Sequence, residues 1–195
     1  MIIGLTGGSG TGKSTASAFF RDSGFAVADL DAIARTVCAP GTACLAEIDA
    51  AFGGVVDGDG VLNRHKLGDI VFNDGEKLKL LNSITHKYII EETKKFISKN
   101  SGRNIVLDAP LLFESGLGAL CDVTVGILSS TQNRIKRIVK RDGITASQAQ
   151  SRINSQPGDG FYTSKCTLTL YNDLTPADLV RSLSAHFGGL EYGKE

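Results

Sequence analysis

The run Gly7-Gly8-Ser9-Gly10-Thr11-Gly12-Lys13-Ser14 constrains this chain more than any other feature. It fits G-x-x-x-x-G-K-[ST] at every fixed position, follows a short apolar run at residues 2–6 and opens a helical pattern at 13–21. That is the setting of a phosphate-binding loop. Backbone N–H groups must converge on phosphate oxygens, and side chains at those positions would block the approach. Glycines also permit the backbone angles required. The helix start adds partial positive charge. Lys13 is suited to β- and γ-phosphates and the Ser14 hydroxyl to Mg²⁺, so residues 8–15 (Gly8, Ser9, Gly10, Thr11, Gly12, Lys13, Ser14, Thr15) form the candidate nucleotide site. A dinucleotide fingerprint is the closest competing reading, with Asp29 near the place of a ribose-binding acid. Lys13 stands where its third glycine would be, crowds a helix–sheet contact and suits a triphosphate better.

A second apolar run at 25–28 completes a strand–helix–strand unit and predicts a parallel sheet flanked by helices, an α/β fold. Residues 31–100 lack a strong strand pattern and read as a mainly helical insertion, with helices at 31–38, 42–52, 64–72 and 76–99. Strands are expected at 105–108, 123–128 and 166–170, and a strongly basic helix at 131–141. A capping box at Thr145 opens a further helix toward Ser155, residues 157–160 read as a loop, and Thr175-Pro176 starts a last helix to about His186. The chain after Gly189 reads as a loose tail. The resulting division is a nucleotide-binding core at 1–30 and 105–195, an acceptor-binding insertion at 31–104, and a lid region at 131–157.

Lys plus Arg equals Asp plus Glu at 21 each, so no charge excess points to nucleic acid. Cys38, Cys44, Cys121 and Cys166 form no C-x-x-C pair and no zinc spacing with His65, His86 or His186, which implies free thiols in a reducing compartment. No basic-then-apolar leader and no apolar stretch of about 20 residues is present, so a soluble cytoplasmic protein without membrane partners is expected; the sequence does not fix the oligomeric state, for which a monomer is the preferred reading. Asp57-Gly58-Asp59-Gly60 has the wrong acid spacing for a calcium loop.

Asp29 and Asp31 follow the second strand, at the end of a parallel sheet where ligands bind. A phosphotransferase needs a carboxylate there to receive or orient the acceptor hydroxyl's proton, or to hold Mg²⁺ through water. Asp31 is assigned the base-like role; Asp29 serves metal or positioning, or caps the next helix. Asp108 ends an apolar strand in the pattern of a Walker B acid. Arg35, one turn after Asp31, binds acceptor phosphates or pairs with Asp31. Pro110, Leu111 and Leu112 open an apolar segment that lines an organic substrate or packs under the insertion. His86 sits in an apolar helical stretch, a common place for a structural histidine, and is kept as a substrate-site candidate. Arg134, Arg137 and Arg141 share a helix face. Beside a phosphate loop that face reads as charge neutralisation on a lid rather than a solvated surface, with Arg137 and Arg141 favoured as catalytic together with Lys13 and Asp31.

Taken together these residues resemble the dephospho-CoA kinase family. The opening Gly4-Leu5-Thr6-Gly7-Gly8 with its loop, Asp29-Leu30-Asp31 with Ala34-Arg35 and Pro40-Gly41, Leu81-Asn82 with His86, Pro110-Leu111-Leu112-Phe113-Glu114, Arg137, Arg141-Asp142, the stretch from Arg152 to Gln156, and Asn172 are each similar to a family element, across residues 2–172. The resemblance implies a P-loop NTPase fold of the nucleoside-monophosphate-kinase type, with a helical CoA subdomain and a lid. It also implies the reaction: Mg²⁺-dependent transfer of the ATP γ-phosphoryl group to the ribose 3′-hydroxyl of dephospho-CoA. The choice of ATP over GTP comes from the resemblance alone. Lys87 stands where the family has proline, which is expected to loosen a turn after His86. Cys166-Thr167 stands where Ala-Asp is usual, and Asp108 where apolar residues are tolerated. A kinase of another small molecule such as a nucleoside monophosphate is the nearest alternative; a GTP switch lacks its N/T-K-x-D element, and a non-catalytic module would not need Lys13, Ser14 and Asp31.

Overall fold

Five strands line up in the order β2-β3-β1-β4-β5 in the computed structural model, which describes residues 1–72 and 74–190. They are β1 Ile2–Thr6, β2 Ala26–Asp29, β3 Ile105–Asp108, β4 Val123–Leu128 and β5 Leu168–Tyr171. The pairs β1–β3, β1–β4 and β4–β5 are parallel, with Ile3 opposite Val106 and Val123. The central strands β1 and β3 are apolar on both faces and almost wholly buried, as expected for strands covered on two sides. Residues 191–195 of the expected tail lie outside the described residues.

The chain divides into two compact units, Met1–Ala28 with Asn100–Glu195, and Asp29–Lys99. In the first, α1 (Lys13–Asp22) and α9 (Pro176–Phe187) cover the sheet through Ala16, Phe20, Leu179, Leu183 and Phe187. Phe20 is fully buried, with the rings of Phe19, Phe25 and Phe187 edge-on at 5.1–5.3 Å. This unit also holds α6 (Thr131–Asp142), α7 (Ala146–Asn154) and α8 (Asp159–Lys165). The capping boxes at Thr145 and Thr175 both form, with Gln148 and Asp178 returning the bond.

The second unit is helical: α2 (Leu30–Val37), α3 (Ala43–Phe52), α4 (Arg64–Phe72) and α5 (Gly75–Lys99) enclose a core of Val37, Leu45, Ile48, Val55, Leu67, Val71 and Ile84. Asp74 starts α5 by accepting the N–H groups of Glu76 and Lys77. Cys38 and Cys44 meet in this core with their sulfurs 3.8 Å apart, and burial pushes the Cys44 thiol up to about 12. All four cysteines are free thiols.

Three expectations are corrected here. No turn follows His86, because α5 runs unbroken through Lys87; lysine keeps the N–H that proline lacks, and its ammonium pairs with Glu47 at 3.1 Å beside the Tyr88 hydroxyl at 2.7 Å. Residues 159–160, read as loop, belong to α8, which buries Tyr162. The last strand starts at Leu168 rather than at 166, since Cys166 ends α8 with its N–H on the Tyr162 carbonyl. Thr167, where the family has Asp, exchanges bonds with Thr124: each backbone N–H reaches the other hydroxyl, at 2.9 and 3.2 Å.

Candidate active site

The phosphate loop joins β1 to α1. Thr11 is buried and closes the turn on Gly8, both N–H and hydroxyl meeting its carbonyl. Left-handed backbone and close packing together require glycine in the loop, as two positions show. At Gly12 φ is +102°, and a Cβ would fall 2.1 Å from Asn172 Nδ2. At Gly10 φ is +78°, and a Cβ would meet the Arg134 backbone oxygen at 2.8 Å. The N–H groups of Gly10, Gly12, Lys13 and Ser14 have no hydrogen-bond partner among the described residues. They are the donors a bound phosphate would take, and the helix α1 start reinforces them. The Ser14 hydroxyl is exposed and makes no bond among the described residues. It therefore fits a Mg²⁺ delivered with nucleotide phosphates, an ion that keeps several waters and needs few protein oxygens. No cluster of three His, Cys, Asp or Glu able to hold a metal by itself occurs among the described residues.

Lys13 is paired with Asp108 at the end of β3, both largely shielded from solvent. The sequence pattern suggests Asp108 for the metal; in the structure its carboxylate takes the Lys13 ammonium. Thr6 donates to the Pro110 carbonyl at 3.2 Å. Leu112 is fully buried and packs on Gly4, where a Cβ would meet its Cδ2 at 2.6 Å, whereas Leu111 is exposed.

The other side of the loop faces α6 and β5. Arg134, buried, donates Nε to the Ser9 carbonyl at 2.9 Å and Nη2 to Gln156 at 3.0 Å. Burial lowers its pKa from the usual arginine value. Arg137 donates to the carbonyls of Gly10, Thr11 and Asn172 and to the Ser129 hydroxyl. Gln156 accepts the Ser9 N–H at 2.8 Å and donates to the Ser9 hydroxyl at 3.0 Å. Asn172 donates to the Thr11 carbonyl at 2.8 Å, and its buried Oδ1 has no partner among the described residues. Arg141 instead lies on Asp142, which also takes Arg152 and is held at about 2 chiefly by its hydrogen bond from Arg141. Spacing alone underweights Arg134, Gln156 and Asn172, since their partners on the loop lie more than 100 residues away in sequence.

The start of α6 is fixed from outside that helix. Ser130 caps nothing with its side chain; Asp173, just past β5, accepts the Ser130 N–H at 2.7 Å and the Ser129 hydroxyl at 2.8 Å. These bonds hold the Asp173 carboxyl down at about 2. Asp173→Ala is expected to lower stability by about 1 kcal/mol at neutral pH, the usual worth of a helix cap. A depressed carboxyl stabilises above its unfolded value near 3.9 and loses that contribution as pH falls through about 2. The gap in urea midpoint between parent and variant should therefore be full at pH 6 and close toward pH 2; a gap independent of pH would contradict this.

In the second unit, Asp29 caps α2 by accepting the Ala32 N–H at 2.9 Å. Asp31 and Arg35 are both on α2 at its outer surface, and no ion pair joins them among the described residues. His86 is half-buried on α5, and burial lowers its pKa, favouring the neutral ring.

The family model for dephospho-CoA kinase matches residues 1–177. The chain belongs to the dephospho-CoA kinase family. A dephospho-CoA kinase of Listeria monocytogenes is 41% identical over 177 residues, 88% of each chain. A Thermus thermophilus crystal structure superposes with a TM-score of 0.84 at 31% identity, covering 97% of both chains. The dephospho-CoA kinase of Campylobacter jejuni gives 0.70 at 25% identity, covering 100% of this chain and 98% of that one. Membership makes the chain an ATP-dependent kinase and accounts for a P-loop, a five-stranded sheet and a helical insertion in one protein. No helix among the described residues is long and apolar enough to cross a membrane.

Proposed function

We propose that this chain transfers the γ-phosphoryl group of ATP to the ribose 3′-hydroxyl of dephospho-CoA, giving CoA and ADP. The observation that carries the reading is a complete phosphate loop in a chain matched by the dephospho-CoA kinase family along residues 1–177. The acceptor oxygen attacks the γ-phosphorus, the bond to the β,γ-bridging oxygen breaks, and ADP leaves with its electrons. Within the nucleotide site at residues 8–15, the N–H groups of Gly10, Gly12, Lys13 and Ser14 hold the ATP phosphates, and the Ser14 hydroxyl would hold the accompanying Mg²⁺. Lys13 exchanges the Asp108 carboxylate for phosphate oxygens. Asp31 receives or orients the acceptor hydroxyl's proton. Asp29 supports that role by fixing the first turn of α2. Arg35, His86, Pro110 and Leu111 are assigned to the acceptor, the arginine to its phosphates and the apolar groups to its uncharged parts, while the fully buried Leu112 anchors that segment against Gly4. Arg141, exposed at the end of α6, remains the candidate for contact with the transferred charge.

The test is ADP formation from Mg²⁺-ATP with dephospho-CoA, with each of several nucleoside monophosphates, and with no acceptor. The expected result is turnover that requires dephospho-CoA. Equal turnover on a nucleoside monophosphate would keep the kinase and overturn the acceptor.

A further inference from the structure

A phosphate loop works only if its peptide planes are turned the right way. In a trans peptide the carbonyl of one residue and the N–H of the next point in opposite directions, and every described peptide here is trans. The carbonyls of Ser9, Gly10 and Thr11 all point toward α6 and β5. Arg134 Nε holds the first at 2.9 Å, Arg137 Nη1 the second at 3.1 Å and the third at 3.3 Å, and Asn172 Nδ2 also holds the third at 2.8 Å. The N–H groups of the same three planes, on Gly10, Thr11 and Gly12, are thereby turned the other way. Thr11 uses its own to close the turn on Gly8 at 3.3 Å. Those of Gly10 and Gly12 are left for a ligand.

The two guanidinium groups are in turn fixed in place. Arg137 Nη2 donates to the Asn172 carbonyl at 2.6 Å and Nη1 to the Ser129 hydroxyl at 3.1 Å. Arg134 donates to the Gln156 side chain, which is itself bound to the Ser9 N–H and hydroxyl. Neither group is a loose cation waiting for phosphate.

We propose that Arg134 and Arg137 are positioning residues of the phosphate loop, acting on nucleotide through the loop's carbonyls rather than by touching the transferred group. The inference rests on the reading of the loop as the nucleotide site. It changes the role expected of Arg137 from spacing, where a basic helix face suggested direct neutralisation of the γ-phosphoryl group.

The two roles separate in binding. The loop backbone grips the β-phosphate, which ADP and ATP share, so a mispositioned loop weakens both alike. An arginine that meets only the γ-phosphoryl group leaves ADP binding alone and acts on kcat. Titration calorimetry with ADP and ATP, no acceptor present, is compared with steady-state kcat for Arg137→Met, Arg137→Lys and Arg134→Met. Losing the charge-assisted bonds to the Gly10 and Thr11 carbonyls, the second of which Asn172 also holds, is expected to weaken ADP and ATP equally, by at least about tenfold, in Arg137→Met. Arg137→Lys should recover part of that loss, because an ammonium serves one carbonyl but not the fork. ADP affinity within twofold of the parent, beside a kcat lowered a hundredfold, would overturn the proposal. If Arg137→Met does not fold, Arg137→Lys and Arg134→Met carry the same comparison: weakened ADP binding supports the proposal, and unchanged ADP binding overturns it. A parent protein that binds neither nucleotide overturns the reading of the loop and this inference with it. A parent that binds both, beside folded variants that bind both equally well, overturns this inference alone.

Discussion

Lys13→Met should lower kcat/KM about 10²–10³-fold, the range found when one preorganised donor to developing charge is removed. Lys13 brings the one full positive charge located on the loop itself, and methionine keeps its length and apolar stem without the ammonium. The substitution also strips Asp108 of its partner, leaving a largely buried carboxylate uncompensated. Some stability is therefore lost too, and Asp108→Asn and the double variant are needed as controls. If the catalytic defect came only from the stranded carboxylate, the double variant would recover activity. The expected result is that it recovers thermal stability and stays catalytically poor. Coupled ADP detection and melting curves on the same four proteins decide between these outcomes.

Asp31→Asn is expected to lower kcat by about 10²–10⁴-fold, the span of a positioned general base. The amide preserves shape and a hydrogen-bonding oxygen but cannot take a proton. Asp31 is exposed in the first turn of α2, whose cap is Asp29, so the fold should survive with at most about 1 kcal/mol of lost helix-dipole interaction. ADP binding should be unchanged, because the proposed role concerns the acceptor. A kcat within threefold of the parent would remove Asp31 from the chemistry and return attention to Asp29.

The loop was legible because its chemistry is local. Glycines, lysine and serine within one turn of chain, after an apolar strand, admit few other uses. The helix starts at Thr145 and Thr175 were legible for the same reason: cap and partner lie three residues apart. Helix α8 was hidden because Gly158 and Gly160 flank its start after Pro157, a composition that ordinarily marks a turn, and only Tyr162 betrays a buried face. The surroundings of the loop were hidden by distance along the chain. Nothing near Lys13 in sequence announces Asp108, and nothing near Ser9 announces Gln156. Among the α6 arginines, a shared face was readable but reach was not. Arg134 and Arg137 stand in its early turns, against the loop. Arg141 lies about 10 Å further along than Arg134, at 1.5 Å per residue, and settles on Asp142.

The Lys13–Asp108 pair also bears on which anions the loop admits. A carboxylate carried on the same chain competes at a high effective concentration, one that dilution cannot lower. A small monovalent anion from solution offers Lys13 little that Asp108 does not already supply. A polyphosphate can engage the Gly10, Gly12, Lys13 and Ser14 N–H groups together with the ammonium, contacts that one carboxylate held on β3 does not make. If the loop holds polyphosphate as proposed, the pair would set a threshold of valence, discriminating against simple anions before any base or sugar is read.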